Sequence, residues 1–157
     1  MAVSVTYNFG ITTRETLTAG AVDSSNPQVS SAAYNESAVL NATSTPPATQ
    51  KSAFLLTLTA GAATINLAAL NGLNGTIDGT GLRVQLIRIK NLGANSMTFS
   101  EGASNGIALA CGSIVVPAGG IDQKLLNDAS PDIAAGDRTI DVAGTAAQTA
   151  EVTIVLG

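Results

Sequence analysis

Four aspartates, Asp128, Asp132, Asp137 and Asp141, follow one another at intervals of four or five residues. Oxygen-rich loops of that kind suit hard cations such as calcium. The spacing lacks the alternating acidic positions and distant glutamate of an EF-hand, however, and turn-forming or solvated aspartates explain it more simply. The same residues, with Asp122 and Glu151, are the candidates for paired-carboxylate chemistry of the glycosidase type. Such sites usually grip sugar rings with aromatics as well, and the C-terminal half offers only Phe99. There is no histidine, which removes the Ser-His-Asp and Cys-His arrangements and every histidine-containing metal site. Cys111 is the sole cysteine; it can neither form a disulfide within the chain nor build a multi-cysteine zinc site, and its expected role is that of a small apolar residue. Asp78-Gly79-Thr80-Gly81 is glycine-rich but lacks the nucleotide-loop spacings and leads into a strand instead of a helix. The expectation is therefore a protein that is not an enzyme, with no catalytic residue, no metal and no cofactor.

Positive charge is the other local signal. Three of the seven Lys and Arg residues, Arg83, Arg88 and Lys90, lie between Leu82 and Asn91. They have no aromatic platform beside them, and the chain carries a net charge of -4 with a pI near 4.5. Nucleic acid is thus not an expected partner. Charged residues make up 11% of the chain against about 25% in ordinary domains, so polar uncharged surface, or surface covered by neighbours, must supply solubility. No apolar run approaches the roughly 20 residues of a membrane span, and the N-terminal residues lack the basic and apolar regions of a signal peptide. The expectation is no membrane and no export. Asn35-Glu36-Ser37 and Asn41-Ala42-Thr43 match the glycosylation acceptor pattern and are read as coincidence on the same ground.

The elements that must position these residues are short strands. Leu82, Val84 and Leu86 alternate with Arg83 and Gln85, as in a strand with one buried face. The buried parity then shifts to Ile87 and Ile89, which predicts either a bulge or a second packing environment. Val3, Val5, Tyr7 and Phe9 form a clean amphipathic strand ending at Gly10. From Ile11 to Gln50 the pattern decays into Thr, Ser, Asn, Ala and Pro, with breakers at Asn26-Pro27 and Pro46-Pro47, and a segment of that length reads as an arm. From Ser52 nine apolar or alternating segments follow, read as about eight short strands. Ala53–Thr59 and Thr64–Leu67 are expected to form a hairpin; the others are 82–91, 96–100, 107–110, 114–116, 121–127, 139–143 and 150–156. This spacing predicts an all-β antiparallel sandwich, jelly-roll-like, with a closed barrel as the second choice. The expected division is an N-terminal strand and extended arm over 1–51 and a sandwich domain over 52–157.

The segments Thr59–Leu67, Asp78–Leu86 and Leu126–Asp132, with the ending Glu151–Gly157, resemble small β-sandwich structural proteins of tailed-bacteriophage virions. The resemblance covers roughly Ser52 to Gly157. It implies a capsid decoration or cement protein, made in the host cytoplasm and incorporated into the virion. Its partners would be copies of itself, most commonly as a trimer, and the major capsid protein or another virion protein. Low charge and a long arm agree with an assembly subunit whose surfaces are covered by neighbours. Val3, Val5, Tyr7, Phe9, Arg83, Arg88 and Lys90 are the expected interface residues, with Arg88 and Lys90 facing acidic surface on another subunit. The rival expectation is a carbohydrate- or receptor-binding sandwich of a virion surface or tail; a pilin-like surface subunit comes third and a carboxylate hydrolase last.

Overall fold

The computed structural model describes residues 3–16, 29–72 and 75–157, with backbone alone at 11–16 and 29–36. The described chain is all-β, with antiparallel sheets packed against each other as a sandwich. Its strands are β1 (Ser4–Thr16), β2 (Val29–Asn41), β3 (Gln50–Thr57), β4 (Ala62–Asn66), β5 (Leu70–Gly72) and β6 (Gly75–Ile77). They continue with β7 (Val84–Asn91), β8 (Met97–Glu101), β9 (Ile114–Val116), β10 (Ile121–Leu125), β11 (Thr139–Ala143) and β12 (Thr149–Leu156). Sheet one has the order β10-β7-β12-β3 and sheet two the order β4-β11-β8-β9. The first four sandwich strands therefore pair, in reverse order, with the last four: β3 with β12, β4 with β11, β7 with β10 and β8 with β9.

Period-two alternation drives this packing. Ile87, Ile89, Val152 and Ile154 of sheet one and Phe99, Met97, Ile140, Val142 and Ile114 of sheet two turn inward into one core. Most of them are fully buried. At about 25 cal/mol per Å² of apolar surface removed from water, each such side chain contributes roughly 1.5–3 kcal/mol before the cost of ordering it.

Several expectations are corrected. The first strand does not end at Gly10 but runs to Thr16, and the segment after Ile11 is not a patternless arm: β2 pairs with β1 over thirteen residues, from Ser4↔Asn41 to Thr16↔Val29. Thr, Ser and Ala accept ladder pairing without an apolar alternation to announce it. Leu17, Val22 and the Asn26-Pro27 breaker lie outside the described residues. The hairpin turn expected after Thr59 exists, with Ala60 and Gly61 at φ 52° and 85°. Its ladder stops after the Thr59↔Ala62 bridge, because the Leu58 amide and carbonyl are taken by Gln148 and Ala147. Strands β3 and β4 consequently enter different sheets. Residues 107–110 form no strand, although Ile107 and Leu109 are buried. The small β5–β6 ribbon was not signalled by periodicity.

The parity shift in β7 has both of its anticipated causes. Val155 pairs with Leu86 and Leu156 with Val84, leaving Gln85 as an extra residue, a bulge that lets Val84 and Ile87 both face the core. The expectation that Val84 and Leu86 anchor the same core is corrected, since Leu86 points to the opposite face, where it joins a second apolar cluster. Buried Gln85 makes use of its position. Its amide nitrogen donates to the Asp128 carboxylate and to the Gly157 carbonyl (3.1 Å), and its amide oxygen accepts the Asp128 N–H (3.0 Å). Asn91 closes the other end of β7 in the same way. Its Nδ2 donates to the Asn95 carbonyl (2.7 Å), and its Oδ1 accepts from the Gly93 N–H (2.9 Å) and Gln148 Nε2 (3.0 Å). A side chain at Gly93 would collide with Gln148.

Candidate interaction site on the ribbon and the outer sheet face

Strand registers place the outward residues of sheet one in three rungs. The first reads Leu125–Leu86–Val155–Lys51, the second Gln123–Arg88–Thr153–Ala53, and the third Ile121–Lys90–Glu151–Leu55. The base of the β1–β2 ribbon rests on the first rung: Leu40 and Ala48 are buried with Leu86 and Val155, and Val5, Tyr7 and Leu125 pack around them. Val5 is opposite Leu40 and Tyr7 opposite Ala38, so one face of the ribbon supplies the contact. Phe9 comes next on that face. It meets the Tyr7 ring edge-on, with centroids 5.7 Å apart, yet is 41% exposed. Val3, just before β1, is half-buried.

The basic residues fall into different settings. Arg83 precedes β7 and is tied to its own chain, with Nε donating to Asp132 (2.6 Å) and Nη1 to the Asp128 carbonyl (3.1 Å). The bond to Asp132 and its charge raise the guanidinium pKa further above its ordinary value. Lys90 is 3.8 Å from Glu151 within the third rung. Arg88 is half-buried at the centre of the second rung, and among the residues with described side chains no carboxylate lies within 4.0 Å of it. Of the seven residues singled out from sequence, the structure thus brings Val5 and Tyr7 onto the sheet face that bears Arg88 and Lys90, while Arg83 serves the 128–132 loop.

The aspartates that invited a metal or acid–base reading are spread among separate tasks. Asp128 holds Gln85, Asp132 holds Arg83, and Asp137 exchanges backbone bonds with Ala134. Asp141 accepts the Ala103 N–H (2.8 Å) and the Thr64 hydroxyl (2.7 Å), two bonds that lower its carboxyl pKa. Asp78 is lowered likewise by the Thr80 hydroxyl and N–H, so Asp78–Gly81 is a self-bonded turn. Asp122 forms an ion pair with Lys124 (3.1 Å). Among the described residues no three carboxylates or thiols gather as metal ligands. Cys111 is half-buried, and desolvation raises its thiol pKa, which disfavours the reactive thiolate. A cleft of about 210 Å³ opens where β3 and β4 meet, lined by Phe54, Leu56, Thr64, Asn66 and Asn71 among others.

No protein-family model matches the chain, and neither the curated proteins nor the solved structures compared with it give a match.

Sequence reasoning missed Leu125 and Val155 as contributors to this surface. The signal was present as three apolar doublets, Leu86-Ile87, Leu125-Leu126 and Val155-Leu156. Consecutive apolar residues in a strand require that both faces be covered. Strand registers alone reveal that the outward members of all three doublets form one patch.

Proposed function

We propose that the chain is a non-enzymatic assembly subunit, and that the assembly is a virion shell in which it acts as a decoration or cement protein. One observation carries the reading. The ribbon strands are thirteen residues long, roughly 40 Å at about 3.3 Å per residue, and the described contacts to the sandwich involve only the ribbon's base. An isolated two-stranded ribbon is marginal in water, so an extension of this length is worth its cost where a neighbour covers it.

The strand order supports the same reading. We read the pairing of the first four sandwich strands with the last four, distributed over two four-stranded sheets, as jelly-roll-like, an architecture shared by viral capsid and lectin domains. Low charge and a surface rich in Thr, Ser, Ala and Gly fit a subunit enclosed by copies of itself. The proposed state is a homotrimer made in the host cytoplasm and carried on the virion, with the major capsid protein or another virion protein as its second partner. Light scattering coupled to size exclusion tests this: an oligomer is expected, and a 15.6 kDa species at every concentration overturns it.

The cleft between β3 and β4 favours a second reading, a carbohydrate- or receptor-binding sandwich. Asn66 and Asn71 would supply its polar contacts and Phe54 its aromatic surface. Glycan-array binding that disappears in Asn66→Ala, from a protein that stays monomeric, would put this reading ahead.

A further inference from the structure

We infer that the free edge of β3, beside the β3–β4 cleft, binds an extended segment of a partner polypeptide as an additional strand of sheet one, with an aliphatic side chain of that segment in the cleft. The inference stands on the edge and the cleft, and holds whether or not the chain assembles with copies of itself.

Among the described residues the sandwich ends in four edge strands, β10 and β3 in sheet one and β4 and β9 in sheet two. Edges are usually blunted by shortness, charge, proline or local bonding, because a row of unpaired N–H and C=O groups is a template for another chain. Strand β9 has three residues and runs into Pro117. Strand β10 carries Asp122 and Lys124. Strand β4 has five residues and bonds locally at both ends: Ala62 exchanges two backbone bonds with Thr59, and the Asn66 carbonyl accepts from the Ala69 N–H. Strand β3 has eight residues, and from Ser52 to Thr57 it holds no charge, proline or glycine.

Register identifies the free groups and, with them, the occupant. The Leu58 N–H donates to the Gln148 carbonyl (2.9 Å), and Thr57 lies opposite Thr149. Antiparallel alternation then gives the N–H and C=O of Phe54 and Leu56 to β12 and turns those of Leu55 and Thr57 away from it. Among the described residues β12 is the one strand paired with β3, and Leu55 is 62% exposed. Alternating backbone donors and acceptors are matched by another strand, not by an apolar surface or a sugar. Beside them, half-buried Phe54 and Leu56 join Ile65 and Leu70 in lining the cleft of about 210 Å³. A cavity of roughly 150 Å³ lined by apolar side chains holds a benzene-sized group, so this one has room for an aliphatic side chain. A strand bonded to Leu55 and Thr57 directs every second side chain to the inner face of the sheet, which here is the cleft. Main-chain pairing gives such a contact its affinity and the pocket its specificity. Strand β5 stands beside the start of β3, where Ser52 Oγ donates to the Asn71 carbonyl (2.6 Å), and β4 supplies Thr64 and Asn66 to the cleft. Flanked in this way, the edge suits a single extended chain and not the edge of another folded sheet.

The test titrates the full chain with a blocked heptapeptide of alternating threonine and leucine and follows amide hydrogen exchange. Saturating peptide is expected to slow exchange at Leu55 and Thr57 roughly tenfold or more and to leave Phe54 and Leu56 as they were. N-methylation of one alternate set of peptide amides, the set that faces β3, is expected to weaken binding roughly tenfold or more, while methylation of the other set leaves it unchanged. Leu55→Pro removes a donor that β12 does not use and is expected to abolish binding. Ala69→Trp, which fills the cleft from an exposed position, is expected to give the same loss and serves as the readout should the proline variant unfold. Unchanged exchange at Leu55 and Thr57 with millimolar peptide overturns the inference, as does binding that ignores both methylated sets and Ala69→Trp. Glycan binding in the cleft, with no peptide binding, would assign the site to sugar and overturn it too.

Discussion

The sandwich and the ribbon are built from the same kind of strand but are stabilised in different ways. Each sandwich strand gives one face to the other sheet, and β7 is also fixed at both ends by buried amides, Gln85 and Asn91. The ribbon strands have one another along their whole length, and among the residues with described side chains Val5, Tyr7 and Leu40 join them to the sandwich. The difference teaches where free energy has already been spent. The sandwich draws on side chains enclosed between its two sheets, whereas a two-stranded ribbon gains little from its own ladder.

Four experiments would break or sharpen that contrast. Ile89→Ala removes a fully buried side chain from β7 and is expected to cost about 2–5 kcal/mol by transfer and cavity effects; chemical denaturation should show the loss. A cost below about 1 kcal/mol would mean that the inner face is not the principal core. Gln85→Ala strands the Asp128 N–H and carboxylate, and about 1–3 kcal/mol should disappear from the same unfolding curve. Tyr7→Ala should lower sandwich stability by about 1 kcal/mol or less, while hydrogen exchange quickens at ribbon amides 4–9 and 37–41. Equal acceleration in β7 and β12 would show that ribbon and sandwich unfold as one unit.

Asp141→Asn should have the smallest effect. The folded carboxyl pKa lies below its ordinary value, so its contribution is complete above about pH 4 and is lost as pH falls through the lowered folded pKa. Solvent screens the site, and roughly a few tenths of a kcal/mol is expected. The variant should flatten the acid limb of a stability–pH profile, lying below the parent by that amount at neutral pH and converging with it in acid.

What the sequence disclosed follows the same division. Alternation at Val152, Ile154, Ile140 and Val142 identified core strands because one face of each is apolar and the other polar. The slip at Leu86-Ile87 was visible too, together with its two physical causes. Strand order was not legible, since pairing partners such as Gln50 and Leu156 lie at opposite ends of the domain. The ribbon was hidden for another reason. Thr12, Thr13, Ser30 and Ser31 hold a ladder through backbone groups, and no apolar period records it. The charged cluster was noticed, but local pattern could not distinguish Arg83, consumed by Asp132, from Arg88, which has no carboxylate beside it among the residues with described side chains.

Reverse pairing of the eight sandwich strands also bears on the order in which the molecule forms. Among the eight sandwich strands only β8 and β9 are neighbours in both sequence and sheet, so closing them requires the shortest loop, and each successive pair outward encloses a longer one. Closure of β3 on β12 is expected last. The ribbon base needs Val155 of β12 and Leu86 of β7 held side by side, and β12 secures its outer edge on β3 only in that last step. Pulse-labelled hydrogen exchange should accordingly find the ribbon base protected no earlier than the β7–β12 pair. The seat of the ribbon is thus a late product of folding, formed only once strands from both halves of the domain lie side by side.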